Sequence, residues 1–175
     1  MHIERLAAHH DVARFESGVK ALDDWFRYHA ITNQERDLSR TFVLLDDNDL
    51  ENPVVGFYSL TMGGVSRTDL PTGYRHGLPD VSIGMALLGR LAIAAGRQGQ
   101  GLGRDLLVAA IEQAATASRH VAGRFIAVDP IDENARDFYR HFGFKDVPGD
   151  ERGRMFLRID HALAALGLDG DGAVQ

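Results

Sequence analysis

Gln98-Gly99-Gln100-Gly101-Leu102-Gly103 places three glycines at alternate positions, between the apolar run Leu87–Ile93 and an amphipathic stretch that opens at Arg104. The order reads strand, glycine turn, helix. Bare backbone N–H groups at such a turn, facing the positive end of a helix dipole, make an anion site suited to a pyrophosphate. Three glycines so spaced cost backbone entropy that a plain turn need not lose, which argues for a ligand. Two nucleotide-binding patterns fail letter by letter. G-x-G-x-x-G needs glycine where Arg104 stands, and a P-loop needs Lys then Ser or Thr where Leu102 and Gly103 stand.

Tyr139 is the second candidate, in the stretch Asn134-Ala135-Arg136-Asp137-Phe138-Tyr139-Arg140-His141-Phe142-Gly143-Phe144. On a helix, Ala135, Phe138 and Phe142 share one face with Tyr139 at its margin, and Gly143 is a natural residue to end the helix. Read from the residues alone, Tyr139 can be one more aromatic ring packed on a sheet. The eight histidines look scattered, with His9-His10 the only pair and no metal-ligand spacing on a helix. No metal is expected. The chain has no cysteine, which excludes disulfides, thiolate metal sites and a cysteine nucleophile.

The elements that must position these residues follow from periodicity. Ile3–Ala7 reads as a first strand, Asp11–Glu16 as a turn of helix, and Val19–Leu38 as one long helix. Thr41–Leu45 and Val54–Thr61 form a hairpin across an acidic turn, and residues 63–82 read as a long loop near a site rather than as core. Strand 85–93, helix 102–119, strand 122–129, helix 133–142, strand Met155–Ile159 and a short helix around His161–Leu166 complete the chain. The tail, residues 168–175, is expected to be disordered. A hairpin-rich first half followed by strand–helix–strand order indicates an α/β protein with a mixed (α+β) sheet.

The chain has 175 residues, 45% of them hydrophobic, which suits one domain over 1–167 with a sizeable core. No apolar run approaches the roughly 20 residues that span a bilayer, and Met1–Arg5 resembles no export signal, so a cytoplasmic protein is expected. The formal charge of −6 speaks against generic nucleic-acid binding. Of the 19 basic residues only Lys20 and Lys145 are lysine, and arginine is the better planar fork for phosphate.

Gln98-x-x-Gly101-x-Gly103 resembles the Q/R-x-x-G-x-G pyrophosphate loop of the GNAT acetyltransferase superfamily, and the Asn134–Phe144 stretch resembles its N-x-x-x-x-Y-x-x-x-G-F signature. The resemblance covers nearly the whole chain. It implies a central, mostly antiparallel twisted sheet with splayed middle strands and flanking helices, and acetyl-CoA as co-substrate. Strand 87–93 would part from strand 122–129 so that pantetheine pairs with backbone groups around Leu91, Ala92 and Ile93. Gln98, Gly99, Gly101, Leu102, Gly103, Arg104 and Asn134 complete the implied cofactor contacts. In the family the signature tyrosine commonly serves as general acid, which points to Tyr139. A phenol of reference pKa about 10 can protonate a leaving thiolate of comparable basicity.

Ordered words from Gly18 to Phe144 resemble the toxin branch of the superfamily, whose members acetylate the α-amine of aminoacyl-tRNA and are encoded with small antitoxins. They include Gly18–Phe26, Ala30–Asn33, Ser39–Val43, Val55–Leu60, Leu88–Ile93 and Phe138–Phe144. That branch implies aminoacyl-tRNA, a ribbon-helix-helix antitoxin and a second copy of the chain as partners. Its members usually present a basic surface to tRNA, whereas this chain is acidic overall, with Arg27, Arg36, Arg40, Arg90, Arg97 and Arg136 as a possible local strip. No Glu stands on Phe57–Leu60, where some of these enzymes keep a base. An α-amine, with reference pKa about 7.7–8.0, needs a base less than a lysine at about 10.4. Asp129, Glu133 and His76 remain candidates for a water-mediated base. Acetylation of a small-molecule amine or a protein N-terminus, and a non-catalytic acetyl-CoA-binding module, stay open as alternatives.

Overall fold

The computed structural model describes residues 1–49, 51, 53–148, 150 and 152–166; the expected tail lies outside them. In chain order the elements are β1 (His2–Arg5), α1 (Lys20–Tyr28), α2 (Ala30–Glu35), β2 (Arg40–Leu45), β3 (Val54–Val65), β4 (Ile83–Ile93), α3 (Leu102–His120), β5 (Phe125–Val128), α4 (Glu133–His141), β6 (Lys145–Asp146), β7 (Met155–Arg158) and α5 (Ile159–Leu166). The seven strands form one sheet in the order β1-β2-β3-β4-β5-β7-β6. The pairings β1–β2, β2–β3, β5–β7 and β6–β7 are antiparallel, so the fold is the expected mixed α/β sheet with flanking helices. No helix among the described residues is long and apolar enough to cross a membrane.

The chain clusters into two compact units. The first comprises Met1–Thr61 with Leu88–Ala110, and the second Met62–Leu87 with the chain from Ile111 on. Leu6, Phe15, Phe26, Ala30, Val43, Leu45, Val54, Phe57 and Ala92 form the core of the first. Val65, Leu70, Ile83, Met85, Phe125, Ala127 and Phe156 form a core in the second. Each buried Phe or Leu stabilises its core by about 1.5–3 kcal/mol relative to leaving it exposed.

Three local readings need correction. The expected helix over Val19–Leu38 is two helices, because His29, at φ −124° and ψ −24°, leaves the helical region between α1 and α2. Phe26 and Ala30, four residues apart, are both buried across that break, so the apolar spacing runs on unchanged. Asp11–Glu16 is an irregular turn: Asp11 Oδ1 accepts the Ala13 N–H at 3.0 Å, a local bond that competes with helix. Residues 63–82 are not a loop outside the core. β3 runs on to Val65, Arg67–Asp69 and Thr72–Tyr74 form single 3₁₀ turns, and Val65 and Leu70 are core residues. The glycines and prolines of that segment outweighed two apolar anchors. Strand β6, only two residues long, gives no periodic signal.

Candidate active site

The glycine loop lies wholly in the first unit. Gly99 and Gly101 have φ of +74° and +84°, the left-handed region that side chains disfavour. A Cβ at either would meet no atom within 4 Å, so conformation and ligand approach, not packing, call for glycine there. Gln98 braces the loop from below: its side-chain N–H groups donate to Ile93 O at 3.0 Å and Ser17 O at 2.9 Å. The N–H groups of Arg104 and Asp105 turn back to Gly101 O at 3.0 and 3.3 Å, which starts α3. Those of Leu102 and Gly103, in its first turn, have no intrahelical acceptor. Leu102, Leu106 and Leu107 are buried and fix the helix start, while Gly99, Gln100, Gly101 and the Arg104 side chain are exposed. The result is an exposed glycine turn, Gly99–Gly101, running into a helix start whose first N–H groups have no intrahelical acceptor.

β4 leads into this loop. Ala92 and Ile93 are buried and Leu91 half-buried, so the strand carries no side chain for chemistry there and offers only main-chain groups. The Ala94 N–H donates to Val55 O at 3.0 Å. Arg97, in the 3₁₀ turn Ala95–Arg97, pairs with Asp46 at 2.7 Å. That guanidinium, with the Asn48 N–H, holds the Asp46 carboxyl below the usual carboxylate range.

Tyr139 lies in the second unit, near the C-terminal end of α4. Asp132 caps the helix start by accepting the Ala135 N–H at 2.8 Å. At the other end the Phe144 N–H donates to Tyr139 O at 3.1 Å and the Gly143 N–H to Arg140 O at 2.9 Å, with Gly143 at φ +87°. This pair of bonds is a Schellman motif, whose usual apolar contact joins the third residue from the end to the second beyond it. Here those residues are Tyr139 and Phe144, with ring centroids 5.3 Å apart. The spacing Y-x-x-x-G-F thus has a folding reason of its own. Tyr139 is 8% exposed, whereas Phe138 and Phe142 are half-buried, so it lies at the centre of the inward face and not at its margin. Burial pushes its phenol well above the usual value, and the O–H form persists throughout the physiological range. Arg136 and Arg140 flank it and both pair with Asp146, Arg140 Nε at 3.0 Å. Asn134 is exposed in the first turn of α4.

The candidate bases fare unequally. Both oxygens of Asp129 accept from Arg154, at 2.6 and 2.7 Å, and Glu133 pairs with Arg140 at 2.8 Å and Arg136 at 3.6 Å. His76 is exposed. The arginine strip also divides. Arg97, Arg136 and Arg40 are held by Asp46, Asp146 and Asp37, whereas Arg27, Arg36 and Arg90 have no carboxylate partner among the described residues. The histidines are less scattered than their spacing suggests. The ligand atoms of Glu4, His9 and His10 lie within 4.8 Å of one another because the turn after β1 folds back, and His10 Nε2 bonds Glu4 Oε1 at 2.7 Å.

Three comparisons bear on this arrangement. The model of the acetyltransferase (GNAT) family matches residues 5–144. A tRNA-acetylating toxin of Mycobacterium tuberculosis is 39% identical over 163 residues, 93% of this chain and 95% of its own length. Among solved structures, AtaT complexed with acetyl-methionyl-tRNAfMet superposes with a TM-score of 0.85 at 28% identity, covering 95% of this chain and 98% of its own. A Tyr-to-Phe mutant of the AtaT toxin, bound to the C-terminus of the antitoxin AtaR and acetyl-CoA, gives 0.80 at 27% identity over 94% and 97%.

Proposed function

The chain belongs to the GNAT acetyltransferase family, and we propose that within it the protein is a toxin that acetylates the α-amine of aminoacyl-tRNA and so blocks translation. The observation that carries this reading is the likeness to the mycobacterial tRNA-acetylating toxin, which runs through nearly the whole of both chains. Acetyl-CoA is the co-substrate. Its pyrophosphate sits on the N–H groups of the loop Gln98, Gly99, Gly101, Leu102 and Gly103, beside the exposed Arg104. Its pantetheine pairs with main-chain groups of Leu91, Ala92 and Ile93 in β4, and Asn134 completes the cofactor contacts.

The amine nitrogen attacks the thioester carbonyl carbon, and the tetrahedral oxyanion is stabilised by a backbone N–H of β4. The C–S bond then breaks. The departing sulfur takes the proton of the Tyr139 hydroxyl, and the new ammonium gives up its own to solvent. The buried phenol keeps its proton at neutral pH, and the same burial makes it a weaker acid than a free phenol, so the proton moves only as charge builds on the sulfur beside it. Asp129 and Glu133 are engaged in ion pairs with arginines, which suits an α-amine already partly neutral near pH 7 and in little need of a base. Residues 1–167 act as one domain, in the cytoplasm, as a homodimer held in check by a small ribbon-helix-helix antitoxin.

Purified protein with radiolabelled acetyl-CoA is expected to label one or a few charged tRNAs on the aminoacyl group and to arrest translation in an extract. The panel includes polyamines, aminoglycosides and peptides, because the net charge of −6 favours a small amine or a protein N-terminus as the second reading. Label confined to one of those, with translation unaffected, selects that second reading.

A further inference from the structure

In the first unit a column of aromatic rings runs from the core to the surface and ends in an arginine. Phe26 and Phe57 stack with centroids 4.0 Å apart and planes 4° apart. Trp25 lies on Phe57 at 6.1 Å and 18°, and the Arg90 guanidinium lies 5.3 Å over the Trp25 ring. Exposure rises along the column. Phe26 and Phe57 are 1% and 0% exposed, Trp25 is half-buried and Arg90 is exposed.

Arg90 makes one hydrogen bond, from Nη1 to Gly89 O of its own strand at 2.6 Å, and no carboxylate among the described residues pairs with it. Its cation lies over the Trp25 ring on one side, and the side chain is exposed to solvent. A guanidinium already held over a packed ring loses little rotamer freedom when something stacks on it. Unpaired nucleobases stack on such planes, and do so with little regard to sequence. Arg27 also lacks a carboxylate and lies 5.8 Å over a ring, but that ring is the exposed Tyr28 and Arg27 already donates to Phe15 O at 3.3 Å. Arg90 stands apart because its ring, Trp25, is itself packed on the core through Phe57.

Its place in the strand says which base. Side chains alternate along a strand, so Arg90 shares a face with Ala92, which packs in the same core as Phe57 and Phe26. It directly precedes Leu91–Ile93, the segment assigned above to pantetheine. An aminoacyl group is esterified to the ribose of the 3′-terminal nucleotide, so the base nearest the reacting amine is the terminal one. We propose that Arg90 is a nucleobase-stacking site that seats the 3′-terminal base of charged tRNA and thereby positions the aminoacyl ester. This rests on the aminoacyl-tRNA reading of the preceding section.

The test compares one charged tRNA carrying its normal 3′-terminal adenosine with the same tRNA ending in an abasic nucleotide, as acceptors for wild type, Arg90→Lys and Arg90→Ala. The expected loss in kcat/KM for wild type on the abasic end is roughly 5- to 150-fold, the range of one base–platform stack. Arg90→Lys, which keeps the charge, loses a similar factor on the normal end and little more on the abasic one, with an unchanged salt dependence of binding. If Arg90→Lys matches wild type while Arg90→Ala is impaired, the residue holds a phosphate and the proposal is overturned. A wild type indifferent to the abasic end overturns it without any variant, and leaves the tRNA reading intact. Acetylation of no charged tRNA at all removes both.

Discussion

The glycine loop at 98–103 and the end of α4 at 139–144 are both built on glycines in the left-handed region, yet their surroundings differ completely. Around Gly99 and Gly101 there is open space, and the neighbouring Gln100 is exposed. At Gly143 an added Cβ would meet Leu157 Cδ1 at 3.7 Å, and the flanking rings of Tyr139 and Phe144 are buried. At the helix end, folding explains the glycine, the phenylalanine and the tyrosine ring; only the tyrosine hydroxyl is left without a packing reason. At the loop, folding explains Gln98 and Leu102 but not the exposed glycine turn. A motif is therefore best divided atom by atom: the part that packing accounts for, and the remainder that a ligand must.

That division predicts different responses in the two regions. Gly101→Glu or Gly103→Glu brings bulk and negative charge into the pyrophosphate site and is expected to abolish acetyl-CoA binding. Gly101, at φ +84°, imposes on any side chain a left-handed strain of roughly 1–2 kcal/mol, so a modest fall in Tm accompanies the lost binding there. Gly103 lies inside α3 and carries no such strain; calorimetry and a melting curve on the same sample separate the two effects. Undiminished affinity in both variants removes the loop from the cofactor site. Gly143→Ala differs in sparing the cofactor site. It forces a Cβ into the left-handed region at a cost of roughly 1–2 kcal/mol, read as a lower Tm or denaturation midpoint, with acetyl-CoA affinity nearly unchanged. A Tm equal to wild type contradicts the Schellman account of the Y-x-x-x-G-F spacing.

The same contrast explains what was legible in the sequence. The loop is local: a strand, a turn and a helix contiguous in the chain, with glycine spacing that excludes competing motifs, so its conformation could be read from six letters. The role of Gln98 as a brace was not readable, because one of its acceptors, Ser17 O, lies 81 residues away. Tyr139 was readable as a ring but was placed at the margin of its face, since helical periodicity counts Phe138 and Phe142 and cannot see that Phe144, beyond the helix, caps it. The break at His29 and the core residues Val65 and Leu70 escaped for related reasons. The first keeps the apolar register intact, and the second are isolated anchors in a segment rich in glycine and proline. Ion pairs such as Arg97–Asp46 and Arg154–Asp129, which remove candidate cations and bases from consideration, link residues 51 and 25 apart and have no signature in one dimension.

Tyr139→Phe isolates the one atom that packing leaves unexplained. The ring, its contact with Phe144 and the helix end all survive the change, so Tm and acetyl-CoA affinity should stay at wild-type values. If the hydroxyl protonates the departing sulfur, kcat on the accepted amine falls by roughly 10²- to 10⁴-fold. A kcat within a few-fold of wild type in a normally folded, acetyl-CoA-binding variant contradicts general-acid catalysis by Tyr139 and leaves the residue as part of the core.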